Sequence, residues 1–131
     1  MKNFISTQDW SKSDLQDILD YAKDLKVNKF QDNLKNKSIA LMFFNPSMRT
    51  RTSFELGIQQ LGGLAVVLHP GKDAWPIEFK LNEVMDTDSE EHIIEVAKVL
   101  SEYCDLIAIR AFPKFINLNC NAFFCLFFLY F

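Results

Sequence analysis

Two apolar runs that do not alternate constrain this chain most: Ile39-Ala40-Leu41-Met42-Phe43-Phe44 and Leu64-Ala65-Val66-Val67-Leu68. A strand with one wet face alternates apolar and polar side chains. A short unbroken apolar run is instead a strand covered on both faces, as in a parallel sheet. Between the runs, Phe54, Ile58 and Leu61 recur at helical spacing, and Gly62-Gly63 supplies a helix stop and a turn. Run, helix and run predict a βαβ unit, the crossover that parallel neighbours require.

The rest of the chain fits around that unit. Ser11 is a helix N-cap candidate with Asp14 in the first turn, and Leu15, Ile18, Leu19, Ala22 and Leu25 form an apolar stripe. This predicts an amphipathic helix covering a core. Val27 to Lys37 is polar and reads as a loop, and His69 to Asn82 reads as a long, irregular connection with two prolines and a glycine. Thr87 or Asp88 is expected to cap a helix running to about Leu100, with Ile93, Ile94, Ala97 and Leu100 against the sheet. Asp105 to Arg110 reads as a third strand. The expected order is α-β-α-β-α-β, and the expected fold is α/β: three layers, a mostly parallel sheet with flanking helices.

Composition narrows the function classes. The 131 residues suffice for one domain, and 49% hydrophobic with 24% charged residues is a globular balance. A net charge of -3 argues against nucleic acid and acidic membranes as partners, although one local basic site can coexist with an acidic surface. Cys104, Cys120 and Cys125 have no zinc-ligand spacing, and an odd count points to a reducing cytoplasm rather than a disulfide scaffold. Asp9 and Trp10 interrupt any signal-peptide core. From Ile116 to Phe131 there is no charge, and Ala122 to Phe131 is apolar throughout, too short for an ordinary transmembrane helix.

The chemistry concentrates at Asn45-Pro46-Ser47-Met48-Arg49-Thr50-Arg51-Thr52. A strand, a tight loop and a helix start present backbone N–H groups to an anion. Arg49 adds a forked, charge-assisted donor, and Ser47 and Thr50 add hydroxyls. Ser47 is equally open to a plain capping role. Arg51 stands four residues before Glu55 and can pair with it instead of a ligand. There is no GxxxxGK[ST] loop, and the glycines follow the helix, so neither a Walker loop nor a dinucleotide fingerprint is present. Arg110 ends the third strand, at the sheet edge where ligands gather in parallel α/β folds; a strand-end ion pair is its alternative role. Trp75 in the irregular connection is open to ligand contact or local packing. His69, His92 and Cys104 read as structural or surface groups.

From Phe43 to Glu55 the chain resembles the aspartate/ornithine carbamoyltransferase family, whose carbamoyl-phosphate motif has the form Ser-x-Arg-Thr-Arg. The fuller resemblance is to the N-acetylornithine carbamoyltransferases within it. It runs through Thr7-Gln8-Asp9-Trp10, Lys37 to Leu41, Pro70 to Phe79, Glu90-Glu91-His92, Asp105-Leu106-Ile107 and Arg110 to Phe115. The resemblance implies transfer of a carbamoyl group from carbamoyl phosphate to N-acetylornithine, giving N-acetylcitrulline in arginine biosynthesis; ornithine and N-succinylornithine are the alternative acceptors. It implies that Ser47, the Met48 backbone, Arg49, Thr50 and Arg110 hold carbamoyl phosphate, with Arg49 and Arg110 catalytic. It places Trp75 and Glu90 with the second substrate or a neighbouring subunit, gives Arg51 and Glu55 a structural role, and implies a homotrimer with no metal or organic cofactor.

The resemblance covers residues 3 to 115. Residues 1–115 are therefore expected to be a partial carbamoyl-phosphate-binding domain and 116–131 a divergent, Phe-rich tail foreign to the fold. The family's His-Pro-x-Gln segment and second, amino-acid-binding domain are not in this sequence, so the chain alone is expected to be inactive. A frameshift, truncated product or incomplete gene model accounts for such a tail, and a non-catalytic anion-binding module is the competing function.

Overall fold

The computed structural model describes residues 3–80 and 89–111, together with the backbone of 125–130. Residues 81–88 and 112–124 lie outside that description, and with them the Thr87 and Asp88 cap candidates, the Phe112 to Phe115 segment and the expected boundary at residue 115.

After a 3-10 turn at Thr7–Asp9 come α1 (Lys12–Val27), β1 (Ser38–Phe43), α2 (Met48–Gln60) and β2 (Leu64–Leu68). The short strands β3 (Ile77–Glu78) and β4 (Glu91–His92) follow, then α3 (Ile93–Tyr103), β5 (Leu106–Ala111) and β6 (Cys125–Tyr130). The main sheet has the order β2-β1-β5-β6. β1 lies between β2 and β5, parallel to both, with Ile39 opposite Ala65 on one side and Leu106 on the other. β6 joins the outer edge of β5 antiparallel, from Leu106↔Tyr130 to Ala111↔Cys125.

The unbroken apolar run of β1 has the predicted cause, whereas β2, at the sheet edge, is only half-buried, with Leu64 63% exposed. Successive side chains of a strand point to opposite faces, and in β1 both faces are covered. Ile39, Leu41 and Phe43 pack with Ile58 of α2 and Ala108, and Phe54 adjoins them. Ala40, Met42, Ile107 and Cys104 form the core of the other face, against Val96 and Leu100 of α3. Helix, sheet and helix make three layers, as expected, and Leu41 at the centre is 1% exposed. α2 ends where the glycines require it. Gly62 has φ +81, a conformation other residues adopt only with strain, and it donates to Gln59 O while Gly63 donates to Ile58 O. A Cβ on Gly63 would stand 3.0 Å from both Ile58 Cγ2 and Leu34 Cβ, so this turn is also a close approach.

Three expectations need correction. α1 forms with the predicted cap, Ser11 Oγ accepting from Asp14 N while Asp14 Oδ2 accepts from Ser11 N. It does not cover the core: none of its residues is buried, and Leu19 is 57% exposed. α2 and α3 already occupy the two faces of the sheet. The third helix does not start at Thr87 or Asp88, since Ser89 and Glu90 precede the strand β4, and α3 begins at Ile93 with His92 as its N-cap. The His92 ring accepts from Ile94 N through Nδ1 and bonds Lys80 O through Nε2. The His69 to Asn82 connection is also less irregular than expected, because Ile77–Glu78 pairs in parallel with Glu91–His92.

At the amino ends of the strands, Asp105 fastens β5 to β1. It accepts from Lys37 Nζ at 2.6 Å, from Ser38 N at 2.9 Å and from Ser38 Oγ at 3.3 Å. The Lys37 ammonium, with the Ser38 N–H second, holds this carboxyl below the ordinary aspartate range. Among the described residues no helix is long and apolar enough to cross a membrane.

Candidate functional site

The carboxyl ends of β1, β2 and β5 open on one edge of the sheet, the ligand side of a parallel α/β fold. β1 leads through Asn45 and Pro46 into α2, whose N-cap is Ser47. The Ser47 hydroxyl oxygen accepts from Thr50 N at 3.3 Å, a long bond. Met48 is the first helical residue and 81% exposed, so the N-terminal turn faces solvent and not core. That turn carries no acidic side chain, whereas α1 has Asp14 and α3 has Glu95 in theirs. Its amide dipoles and the Arg49 charge are therefore available to an external anion. Arg49 is exposed and makes no ion pair among the described residues.

Arg110 approaches the same loop from below. The residue is 9% exposed, and its Nη1 donates to the carbonyls of Asn45 at 2.9 Å and Pro46 at 3.1 Å. A guanidinium charge is thus fixed under the loop that leads into the α2 amides. β5 also receives Phe44 N at Arg110 O, which ties the loop's start to the sheet.

In front of the loop lies a cleft of about 790 Å³, walled by Pro46, Ser47, Met48, Arg51, Thr52 and Glu55 on one side and His69, Lys72 and Asp73 on the other. Arg51 Nε meets Glu55 Oε2 at 3.3 Å, the i,i+4 pair the sequence suggests. Asp73 accepts from His69 N at 2.6 Å and lies 2.8 Å from His69 Nδ1. The His69 side-chain bond, then the His69 backbone bond, lowers the Asp73 carboxyl from its ordinary range. Both carboxylates on the cleft are thereby engaged. Lys72 makes no ion pair among the described residues.

Ser47, Met48 and Arg51 thus line the cleft, with Thr50 and Arg49 on the adjoining helix turn and Arg110 beneath it. Trp75 and Glu90 stand apart. Trp75 is 58% exposed and borders an adjoining hollow with Lys72, Asp73, Ala74 and Glu91. Glu90 is exposed immediately before β4. Lys72 and Asp73 are cleft residues that the sequence reading did not single out, and His69, which it read as structural or surface, lines the cleft with them. The available signal was topological: His69 directly follows β2, so it must lie on the same sheet edge as Ser47. No cluster of His, Cys, Asp and Glu able to hold a metal occurs among the described residues.

Comparison with known proteins agrees with this geometry. The family described as aspartate/ornithine carbamoyltransferase, carbamoyl-P binding domain, matches residues 2–122. The N-acetylornithine carbamoyltransferase of Xanthomonas campestris pv. campestris is 66% identical over 117 residues, covering 89% of this chain and 34% of the relative. The N-succinylornithine carbamoyltransferase of Bacteroides fragilis is 35% identical over 119 residues, covering 89% of this chain and 37% of the relative. Among solved structures, an N-acetyl-L-ornithine transcarbamylase variant complexed with carbamyl phosphate and N-succinyl-L-norvaline superposes with a TM-score of 0.84 at 66% identity. It covers 88% of this chain and 35% of that one. The chain thus spans about a third of the length of these relatives, at their N-terminal, phosphate-binding end. Fold and family match converge: this chain belongs to the aspartate/ornithine carbamoyltransferase family, matching the model of its carbamoyl-P binding domain over residues 2–122.

Proposed function

We propose that this chain is the carbamoyl-phosphate-binding portion of an N-acetylornithine carbamoyltransferase that acts in arginine biosynthesis. The observation that carries the choice of acceptor is the identity of 66% to an N-acetylornithine enzyme against 35% to an N-succinylornithine enzyme over nearly the same residues. On this reading Ser47, the Met48 amide, Arg49 and Thr50 hold the phosphate, and Arg110 spans the phosphate and carbamoyl oxygens. The acceptor amine attacks the carbamoyl carbon, a C–N bond forms, the C–O bond to phosphate breaks and the amine loses a proton. Arg49, Arg110 and the helix amides stabilise charge on the leaving phosphate and on the tetrahedral centre. Trp75 and Glu90 face the acceptor or a neighbouring subunit of a homotrimer, while the Arg51–Glu55 pair braces the loop.

A partial domain of this kind binds the donor but does not turn over. Calorimetry with carbamoyl phosphate tests the site: saturable binding is expected for the native chain and a loss of at least about tenfold for Arg49→Ala, from one charge-assisted contact. No saturable binding by a folded sample rejects the reading. Production of N-acetylcitrulline by the 131-residue chain overturns the expectation that it lacks turnover. A second reading is an anion-binding module without catalysis, which the same calorimetry and turnover assays separate from the first. The family match runs to residue 122, past the boundary at 115 that the sequence suggested.

A further inference from the structure

The connection after β2 carries a device that the anion site does not use. Asp73 reaches back to grip His69 twice, at its backbone N–H and at ring Nδ1. Gly71 lies between them with φ +78, its N–H donating to Ala74 O at 2.8 Å, so the segment closes into a tight turn. The His69 ring in turn stacks on Phe43 with centroids 5.8 Å apart and planes inclined 29°. Phe43 is the last residue of β1 and is 4% exposed. A continuous path therefore runs from the strand that feeds the phosphate loop, through Phe43 and His69, to Asp73 and the exposed Trp75.

We propose that Asp73 is a positioning residue: its clasp on His69 fixes the Pro70 to Trp75 turn against the end of β1, and so sets where Trp75 stands relative to the phosphate loop. Its consequence for catalysis, a fixed indole for the second substrate, rests on the function proposed above. A large aromatic ring held out from the surface is otherwise free to rotate with its loop. Two bonds from His69, at its backbone N–H and its ring, to the carboxylate of Asp73 four residues on restrict that freedom without burying Trp75. The His69–Asp73 bond strengthens this lock, since a carboxylate acceptor makes charge-assisted hydrogen bonds.

The test uses the full chain and no ligand, so it stands apart from any failure to bind carbamoyl phosphate. In a Trp10→Phe background Trp75 is the only tryptophan. Time-resolved anisotropy then reports nanosecond motion of its indole, and circular dichroism melting reports the global fold. Asp73→Ala is expected to roughly double the amplitude of the fast component, on the nanosecond scale of loop motion, with little change in melting temperature. Asp73→Asn, which keeps an acceptor for His69 N, should fall between Ala and native. His69→Phe retains an aromatic ring over Phe43 but loses the ring bond. It should loosen Trp75 too, and it carries the test if Asp73→Ala does not fold. Anisotropy decays indistinguishable from native in folded Asp73→Ala or His69→Phe overturn the proposal. So does a loss of order that appears only together with global unfolding.

Discussion

Ser47 has two roles to separate, and the geometry says how. Its hydroxyl caps α2 by accepting from Thr50 N, and the same hydroxyl can donate to a phosphate oxygen. The cap bond is long at 3.3 Å, so Ser47→Ala should cost the lower half of the usual cap loss, about 0.5–1 kcal/mol. Loss of a hydrogen bond to a charged ligand is larger, about 1.5–3 kcal/mol, or roughly ten- to 150-fold in affinity. Ser47→Asp separates the two most cleanly. Aspartate is as good an N-cap as serine, so stability should be kept. Its charge, however, would stand about 5 Å from a bound dianion, a repulsion of about 1.7 kcal/mol in water-like surroundings and about 6.6 kcal/mol at an effective dielectric of about 20. Adding the lost donor, Ser47→Asp should bind carbamoyl phosphate at least about tenfold more weakly than native while unfolding at the same urea midpoint. Urea unfolding followed by circular dichroism, paired with calorimetry, measures both quantities. A Ser47→Asp protein that folds normally and binds carbamoyl phosphate as tightly as native would refute the helix-start site.

Two further predictions concern what holds the site in place. Leu41→Ala, at the centre of β1 and 1% exposed, should destabilise the chain by about 2–5 kcal/mol in urea unfolding; a change below about 1 kcal/mol would show that the two-sided core does not support the sheet. Asp105→Asn should lower stability at neutral pH but not in acid. The folded carboxyl is held below its unfolded value of about 3.9, so its stabilisation is full above that pH and disappears as pH falls through the lowered value. Urea midpoints of native and Asp105→Asn should therefore converge below about pH 4, and a gap that persists in acid refutes the Lys37–Asp105–Ser38 clasp.

What the sequence made legible is local. β1, α2 and β2 match expectation because each is specified within its own span: unbroken apolar runs, a capping serine, and a Gly-Gly stop that needs a positive φ. The Arg51–Glu55 pair is local in the same way. The corrections share the opposite cause. The apolar stripe of α1 identifies a face but not a partner, and the two sheet faces were taken by α2 and α3. The start of α3 was misplaced because the segment before it is rich in residues that can cap, while the observed cap is a histidine ring, which propensity ranks low. β3 and β4 have two residues each, too few for any periodicity to register.

The same division bears on the proposed anion site. A phosphate needs amides at a helix start, an arginine in the first turn and a guanidinium beneath the loop. α2 supplies the first two within four residues of Ser47, and β5 supplies the third at the neighbouring strand end. The parity of β5 decides that last contribution. Arg110 shares a face with Leu106 and Ala108, the face on which α2 lies, whereas Ile107 and Ile109 point toward α3. A slip of one residue between β1 and β5 would put Ile109 or Ala111 under the loop and turn the guanidinium away from the Asn45 and Pro46 carbonyls. The register of Phe43 with Arg110 is therefore as much a part of the proposed anion site as the motif itself. Donor binding on this reading depends on three adjacent parallel strands, while acceptor choice depends on Trp75, Glu90 and chain that these residues face. Calorimetry with carbamoyl phosphate in the presence and absence of N-acetylornithine separates them: these 131 residues alone should bind the donor with an affinity that the acceptor does not change.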